Sequence, residues 1–375
     1  MESKLKFRHN SEKKIKVLIS PLDWGLGHAT RIVPIIKILL NLNFDVTVGV
    51  TKSNFAFFNE EFSEIKKVFV PAYNIKYSNR NTQIFKILIS IPRILKTIIK
   101  EYLFVKKIHE NEKFDLIISD NRFGFRVQKS YCVFITHQLF IKIPSKVKFA
   151  EKFINVINKW FINRFNELWI PDFETENNLS GELSHSKVVH KNQKFIGLLS
   201  RFENKNEKNQ NFERDILVII SGPEPQSTIF QNIIESLVLK SNFTVLIISG
   251  KPNENYRRQL SNKIEIISHL PSGMLEKEIL ASKYVITRAG YSSIMDLFTL
   301  RKTAIIVPTP GQTEQEYLAK YLNSKKMFYS VEQNNFNLDI PVNEIVKYNI
   351  EDFKDRNYSL KNILIEFVTN QKNKD

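Results

Sequence analysis

Two glycine-containing turns constrain the fold of this 375-residue chain more than any other feature of its sequence. One of them, residues 287–293, follows the apolar run 283–286 and precedes a helix-like run that begins at Ile294. Gly290 would let the backbone close beneath a ligand, and the free N–H groups at the start of a helix attract anions. The sequence therefore predicts an anion site at this turn, and a diphosphate is the favoured ligand.

The side chains beside this turn fit the rest of a nucleotide. Ser292 and Ser293 add hydroxyl groups to the N–H groups at the positive end of the helix. Asp296 lies one turn into the helix, where its carboxylate could accept hydrogen bonds from ribose hydroxyls. These residues predict contacts with both the diphosphate and the ribose.

The other turn lies near the N-terminus. Residues 16–20 are predicted to be a buried strand, 21–31 a loop and 32–42 a helix. The loop does not match the dinucleotide-binding fingerprint, because Thr30 replaces its third glycine and no acidic residue ends the next strand-like run. Two strand–loop–helix units opening two halves of the chain predict two facing nucleotide-type domains, and NAD binding is disfavoured.

Alternating strand-like and helix-like runs predict a parallel sheet covered by helices in each half. The predicted strands are 16–20, 44–50, 67–70, 115–119, 131–136 and 168–170, followed by 216–221, 244–249, 264–267, 284–287 and 303–307. Residues 202–214, which are rich in Asn, Lys and Glu, are predicted to be a linker. We therefore expect an N-terminal domain at 1–201 and a C-terminal domain at 215–375, with the ligand crevice between them. The last amphipathic run, 360–368, is predicted to be a helix, which can pack back on the N-terminal domain.

Composition limits the compartment and the partners. A single cysteine, Cys132, excludes intrachain disulfides and thiolate metal clusters, and it fits a reducing cytoplasm. Residues 1–14 are polar and basic and no apolar run reaches about 18 residues, so we expect neither a signal segment nor a membrane span. The net charge of +16 follows a chain-wide Lys and Asn bias, and the aromatic residues form no stacking platform, so no nucleic acid is expected as a partner.

The basic segment 84–107 is a candidate membrane contact. It has six Lys and Arg residues and one acidic residue, Glu101, with apolar residues at helical spacing. Such a helix can lie on an anionic bilayer, or it can pack on its own domain. The basic and aromatic stretch 146–160 supports the membrane interpretation. We expect a cytoplasmic protein that can attach to the inner face of the cytoplasmic membrane.

The C-terminal half resembles the donor-binding domain of the family 28 glycosyltransferases, and the order of motifs over 15–325 resembles the MurG-like members of that family. The resemblance implies the GT-B fold, an α/β arrangement of two facing doubly wound, Rossmann-like domains with a cleft between them. It also implies transfer of a sugar, with inversion, from a UDP-sugar to a hydroxyl acceptor. An N-acetylhexosamine is the implied sugar, and a lipid-linked molecule or a cell-envelope glycan precursor is the implied acceptor.

The resemblance assigns donor-binding roles residue by residue. Residues 288–296 stand at the family's diphosphate and ribose site, and 308–317 stand at the loop and helix start that bind the sugar through paired amides. Gln315 matches the first of these amides, and Glu316 replaces the second. The implied donor-binding residues are Gly25, Gly27, Arg201, Ser221, Gly222, His269, Leu270, Arg288, Gly290, Ser292, Ser293, Asp296, Gln312, Gln315 and Glu316. Arg201 and Arg288 would stabilise the leaving diphosphate, so no metal or other cofactor is expected.

The loop histidine His28 resembles a family residue that faces the reaction centre. Its imidazole titrates near neutrality and can take a proton from an acceptor hydroxyl, although it could also merely organise the loop. Asp120, at the end of a predicted strand, is placed to orient His28 or to bind the acceptor. Asp23 is a rival for the role of base. His137 is expected either to line the acceptor side of the cleft or to serve in packing.

Two other functions stay open at this point. A nucleotide-sugar 2-epimerase shares the GT-B arrangement and needs a UDP site without an external acceptor. A non-catalytic sugar- or lipid-binding protein could also keep the fold. The apolar and basic segment 84–107 favours the transferase, because it suits a lipid-linked acceptor.

Overall fold

The computed structural model describes residues 14–73, 83–143, 145–203, 212–222, 224–339, 345, 348, 350 and 360–372, with the side chains of 83–91, 145–147 and 370–372 outside the description. These residues form two α/β domains, each built on a seven-stranded sheet. Most of the predicted linker, residues 204–211, lies outside the described residues.

The N-terminal sheet is parallel throughout. Its strands are β1 (Lys16–Pro21), β2 (Asp45–Val50), β3 (Lys66–Phe69), β4 (Leu116–Asp120), β5 (Tyr131–Ile135), β6 (Glu167–Ile170) and β7 (Gln193–Phe195). They lie in the order β3-β2-β1-β4-β5-β6-β7, so the winding reverses between β1 and β4. At the carboxyl ends of these two strands Pro21 pairs with Asp120. Ligands of open parallel sheets bind at such a switch point.

Helices cover both faces of this sheet. They are α1 (Leu26–Asn41), α2 (Phe55–Glu61), α3 (Gln83–Glu112), α4 (Glu151–Ile162) and α5 (Glu182–His185), with a 3-10 helix at Ser145–Ala150. Gly25, directly before α1, has a φ of 75°, which glycine adopts without steric cost. In α1, Ile32, Ile36 and Leu39 recur at helical spacing and are fully buried, which anchors the helix and fixes where its first turn points.

The C-terminal sheet has the same design with one antiparallel edge. Its strands are β8 (Arg214–Ile219), β9 (Val245–Ile248), β10 (Arg257–Ser261), β11 (Ile264–Ile267), β12 (Ser282–Thr287), β13 (Ile305–Ile306) and β14 (Tyr329–Ser330), and its helices are α6 (Gln226–Val238), α7 (Ser272–Ala281), α8 (Tyr291–Thr299) and α9 (Thr313–Ser324). The strand order is β10-β11-β9-β8-β12-β13-β14, with the switch point between β8 and β12. The edge strand β10 pairs antiparallel with β11 and was not predicted, because its sequence is polar.

The last helix returns to the first domain. Helix α10 (Leu360–Lys372) places Phe367 against Tyr131, with ring centroids 5.3 Å apart. Glu366 lies 3.8 Å from Lys194 of β7. One buried apolar cluster also continues from the N-terminal core through α1 and α8 into the C-terminal domain. The structure therefore confirms the predicted arrangement of two facing doubly wound domains and places their switch points on either side of a shared cleft.

Candidate active site

The cleft between the domains is a cavity of about 720 Å³ lined by residues of both. The N-termini of α1 and α8 meet inside it, where the Ser292 hydroxyl donates a 2.6 Å hydrogen bond to the Gly27 carbonyl. A Cβ atom on Gly27 would lie 3.3 Å from that hydroxyl oxygen, so the close approach favours glycine. Because both helices point their positive ends into one space, this part of the cleft favours an anion.

His28 and Asp120 form a hydrogen-bonded pair in the N-terminal half of the cleft. His28 Nδ1 lies 2.9 Å from Asp120 Oδ2, and Asp120 is fully buried. Burial, followed by the nearby Arg31 charge, lowers the pKa of His28, while Asp120 opposes this shift. The imidazole is therefore neutral at neutral pH. Because the Asp120 carboxylate can only accept, the hydrogen bond between them requires the ring proton on Nδ1. Nε2 is then the ring nitrogen that can accept a proton in the cleft, which His28 lines.

Arg31 connects this pair to the other domain, and sequence reasoning gave it no role. It is 2% exposed, its Nε donates to both Asp120 oxygens at 2.9 and 3.0 Å, and its Nη1 lies 3.2 Å from His137 Nδ1. His137 Nε2 in turn lies 2.8 Å from Oε1 of Glu314, at the start of α9. Burial alone would raise the Asp120 pKa, but Arg31 and His28 outweigh it, and the pKa is lowered. Asp120 is thus a carboxylate, and a continuous polar network runs from His28 to Glu314.

Asp23, the rival base, does not line the cleft. Its two oxygens accept hydrogen bonds from the Tyr73 N–H at 3.3 and 3.0 Å, and one oxygen lies 3.9 Å from Arg122. The side chain is 5% exposed. Asp23 therefore holds the loop in place, and His28 is the base candidate that reaches the cleft.

On the donor side, Asp296 and Arg201 both line the cleft, but they are bonded to each other. Arg201 Nε lies 3.1 Å from Asp296 Oδ2, and the Ser200 hydroxyl donates to Asp296 Oδ1 at 2.8 Å. Burial raises the pKa of Asp296, against the opposing charge of Arg201. The pair fixes Asp296, the residue predicted to bind ribose, in the first turns of α8.

Other predicted donor residues also line this half of the cleft: Ser221, Gly222, His269, Leu270, Gly290, Ser292, Ser293, Gln312 and Gln315. Gly25 and Gly27 line it from the N-terminal domain. Burial, with Arg201 nearby, lowers the pKa of His269 to about 4, so this imidazole is neutral. Gln315 accepts a 2.9 Å hydrogen bond from the Thr309 N–H, which holds its side chain in place. The structure thus brings together residues that are separated by almost 300 positions in sequence.

Arg288 requires a correction, because it does not line the cleft. It is fully buried on the far side of its turn, where its guanidinium lies 3.9 Å from the centre of the Phe230 ring. Its Nη2 donates to the Gln226 carbonyl at 3.1 Å and to Gln333 Oε1 at 2.8 Å. Because the side chain packs away from the cleft, Arg288 supports the fold and is not placed to stabilise a diphosphate.

Glu316 is the second correction. Its Oε1 accepts a 2.7 Å hydrogen bond from the Gly311 N–H, and the residue lines a separate surface cavity with Lys320 and Asn323. The preceding carboxylate, Glu314, is the one that faces the cleft. Helical geometry explains why Glu314 and not Glu316 faces the cleft, since side chains two positions apart on a helix point about 200° apart.

The acceptor side of the cleft is largely apolar. Its walls include Leu22, Trp24, Ile94, Phe123, Ile141, Ile143 and Ile154. The buried indole N–H of Trp24 has no hydrogen-bond partner among the described residues. This side can therefore take an apolar ligand that also carries a hydrogen-bond acceptor.

Residues 216–363 match the glycosyltransferase family 28 C-terminal domain. A comparison with curated proteins gives no significant match. The chain is similar to the solved structure of the glycosyltransferase SnogD from Streptomyces nogalater, at 10% identity and a TM-score of 0.58, covering 95% of this chain and 99% of that one.

Two further similar structures contain ligands. The Streptomyces sp. SF2575 glycosyltransferase SsfS6, complexed with thymidine diphosphate, is 10% identical with a TM-score of 0.55, covering 84% of this chain and 87% of that one. Arabidopsis thaliana UGT89C1, complexed with UDP-L-rhamnose, is 12% identical with a TM-score of 0.56, covering 91% of both chains. Such likeness shows the fold, which is GT-B as predicted. The family 28 domain and the GT-B fold together make this chain a glycosyltransferase.

Proposed function

We propose that this glycosyltransferase moves a sugar from a UDP-sugar to a hydroxyl group of a lipid-linked acceptor, with inversion at the anomeric carbon. The observation that carries the proposal is the position of the His28–Asp120 pair. The pair faces the start of α8 across the cleft. Gly27, the residue before His28, accepts a hydrogen bond from Ser292 in the first turn of that helix, so the two sides lie close together. A base on one side and an anion cradle on the other fit a displacement reaction between them.

The chemistry follows from these groups. As the acceptor oxygen bonds to the anomeric carbon, its proton passes to His28 Nε2, and the bond to the diphosphate breaks with its electron pair leaving on UDP. The Asp120 carboxylate stabilises the imidazolium that forms. The N–H groups at the start of α8, with Arg201, stabilise the charge on the leaving group. We propose no metal in this role, because these fixed positive groups supply the compensating charge.

The nucleotide and sugar are inferred from the residues of the donor side. SsfS6 and UGT89C1, with thymidine diphosphate and a UDP-sugar, support a pyrimidine nucleoside diphosphate. The Oε1 atom of Gln312 is buried without a hydrogen-bond partner among the described residues, which suits it to a sugar hydroxyl. The family resemblance favours an N-acetylhexosamine.

A lipid-linked acceptor is supported by the outer surface beside the acceptor pocket. Ile94 of α3 and Ile154 of α4 both line the cleft, and Phe123 packs on Phe161 of α4 with ring centroids 4.9 Å apart. Helices α3 and α4 therefore flank the acceptor pocket. Their outward apolar residues are Leu95, Ile99 and Leu103 on the first helix, and Phe149, Phe153, Val156, Ile157 and Trp160 on or next to the second.

Charge favours an anionic bilayer as the occupant of this surface. Its exposed basic residues are Arg93, Lys96, Lys100, Lys106, Lys107, Lys148, Lys152, Lys159 and Arg164. Glu101, the acidic residue of the basic segment, is fully buried, where it receives the Tyr73 hydroxyl hydrogen at 2.7 Å. Each basic residue near an anionic surface contributes about 1 kcal/mol of attraction. The side chains of 84–91 lie outside the described residues. In the described part of the chain, no helix is long and apolar enough to span a membrane.

The proposal is tested by calorimetry with UDP, dTDP, GDP and NAD, followed by transfer assays with and without EDTA. We expect saturable UDP binding that Asp296→Ala weakens and that Glu235→Gln, a surface change on α6, leaves intact. We also expect sugar transfer into a membrane lipid extract, unaffected by EDTA. Stronger binding of another nucleotide, or transfer only to water-soluble acceptors, would overturn the donor or the acceptor assignment. Loss of transfer activity in the presence of EDTA would overturn the metal-free mechanism.

A further inference from the structure

Glu314 is a donor-domain carboxylate that reaches into the N-terminal domain. Its Oε1 lies 2.8 Å from His137 Nε2. The His137 ring also stacks on Tyr291, the first residue of α8, with ring centroids 4.0 Å apart and planes 7° apart. Apart from the Arg31 contact, these interactions of His137 come from the other domain. They form only when the two domains are closed on each other.

The neighbours of His137 fix its tautomer. Arg31 has only donors, and its Nη1 lies 3.2 Å from His137 Nδ1, so this nitrogen accepts a hydrogen bond. A single ring proton on His137 must then lie on Nε2, from which it is donated to the Glu314 carboxylate. Burial would raise the Glu314 pKa, but the contact and hydrogen bond with His137, followed by the proximity of His28 and Arg31, lower it. Glu314 therefore carries a negative charge in the closed cleft.

The same guanidinium lies against the base. Arg31 Nη2 donates to Asp120 Oδ1 and lies 2.8 Å from His28 Nδ1, the nitrogen whose proton Asp120 accepts. Arg31 thus has Asp120 and His28 on one side and His137, with Glu314 behind it, on the other. Because His137 and Glu314 hold the Nη1 side of the guanidinium, they also fix its position beside His28.

We propose that Glu314 is a positioning residue that couples closure of the two domains to the activity of His28, acting through His137 and Arg31. This inference rests on the proposed role of His28 as the base. It assigns Glu314 to the base network, whereas the sequence resemblance placed it only within the sugar-binding segment 308–317. The hydrogen-bond network around His28 is then complete only when the donor domain has closed onto the N-terminal domain.

The balance of charges supports this role. The charged and titratable groups around His28 are Asp120, Arg31, His137 and Glu314. With the domains apart, Arg31 and Asp120 cancel, and a proton taken up by His28 leaves a net positive charge in a buried site. With Glu314 in place, the same proton brings the network to neutrality, which favours proton uptake. Removing the Glu314 charge should therefore lower the His28 pKa further and weaken the base.

Glu314→Gln tests the proposal, because glutamine keeps an oxygen for the His137 hydrogen bond but loses the charge. We expect kcat to fall roughly tenfold, part of the roughly 10²–10⁴-fold that a positioned base contributes. The acidic limb of the pH–rate profile should move to lower pH, and the dissociation constant of UDP-sugar should stay within about twofold. The matched control, Glu235→Gln, should leave all three quantities unchanged. Weaker donor binding with an unchanged pH profile would instead make Glu314 a sugar ligand and would overturn the proposal.

An imidazole nitrogen NMR spectrum of the full chain tests the geometry without any turnover. We expect His137 to be the Nε2–H tautomer, because Arg31 can only donate to Nδ1 and the Glu314 carboxylate can only accept from Nε2. A His137 ring protonated on Nδ1 would overturn the network. If the wild type shows no transfer but has the expected His137 tautomer, the proposed function fails while the contact survives. If the wild type is active and Glu314→Gln behaves like the control, only the coupling fails.

Discussion

Ser292 of the donor domain donates a 2.6 Å hydrogen bond to the carbonyl of Gly27 at the opposite helix start. The two residues lie 265 positions apart in sequence, and their contact marks where the two halves of the cleft meet. Because each belongs to the first turn of a helix, the contact also aligns two positive helix ends on one small volume. A leaving diphosphate between the domains would lie against both.

Replacing Gly27 with alanine should separate stability from activity. The added methyl group would lie 3.3 Å from the Ser292 hydroxyl, so that hydroxyl must shift and the contact between the domains weakens. Alanine in a helix is otherwise favoured over glycine by about 0.5–1 kcal/mol. We expect unchanged or higher stability to urea and a severalfold lower kcat/KM. Gly273→Ala is the control, since it occupies the same position in α7 with nothing within 4 Å of the new methyl group. Equal kcat/KM in the two variants would contradict the expectation.

The pH–rate profile should report His28. Because its pKa is lowered from an ordinary value of 6.5, mainly by burial, the imidazole stays neutral below that pH. We expect kcat/KM to stay on its plateau at pH 6.5 and to fall only as the pH drops further through the lowered pKa. In Asp120→Asn the carboxylate that raises the pKa is gone, so the acidic limb should move to still lower pH and the plateau rate should fall. A limb that stays in place in Asp120→Asn would show that another group titrates.

Arg288→Met should damage the fold rather than the nucleotide site. The guanidinium is fully buried and donates to the Gln226 carbonyl and the Gln333 amide oxygen, which would lose their partner. We expect the free energy of unfolding in urea to fall by at least about 3 kcal/mol. Arg257→Met breaks only an exposed ion pair with Glu265 and should cost less than about 1 kcal/mol. Full stability of Arg288→Met combined with lost UDP binding would restore Arg288 to the donor site.

The surface formed by α3 and α4 should bind anionic vesicles. Lys100→Glu with Lys107→Glu reverses two exposed charges beside Ile99 and Leu103, so sedimentation with phosphatidylglycerol vesicles should fall by more than tenfold. Binding of the wild type should weaken with added salt. The control carries the same charge change at the exposed residues Lys240 and Lys277 of the other domain. Equal losses in both variants would point to net charge alone.

The sequence predicted the sheets better than the contacts of individual side chains. Buried strands such as Val245–Ile248 are continuous apolar runs, so their positions follow from pattern alone. The polar edge strand Arg257–Ser261 has no such pattern and depends on pairing with its neighbour. The pairing of His28 with Asp120 could be predicted from sequence, because Asp120 ends one strand and His28 follows its neighbour at the switch point. The His137–Glu314 contact joins two domains, and no local spacing encodes it.

The burial of Arg288 was missed for a related reason. A turn motif fixes which backbone atoms face a ligand, but the direction of a long side chain depends on what packs behind the strand. Here the Phe230 ring lies 3.9 Å from the guanidinium, and the Val307 and Pro308 carbonyls accept hydrogen bonds from its Nη1 at 3.4 Å. An aromatic ring and buried backbone carbonyls can thus hold an arginine for which the sequence motif alone predicts a phosphate-binding role.

The most direct test of the account is sugar transfer by His28→Gln, with UDP affinity measured on the same preparation. We expect the wild type to transfer sugar from a UDP-sugar into membrane lipid, and the variant to bind UDP normally but to transfer at least about a hundredfold more slowly. Normal transfer by His28→Gln, or UDP binding by a wild type that transfers no sugar to any acceptor, would contradict it.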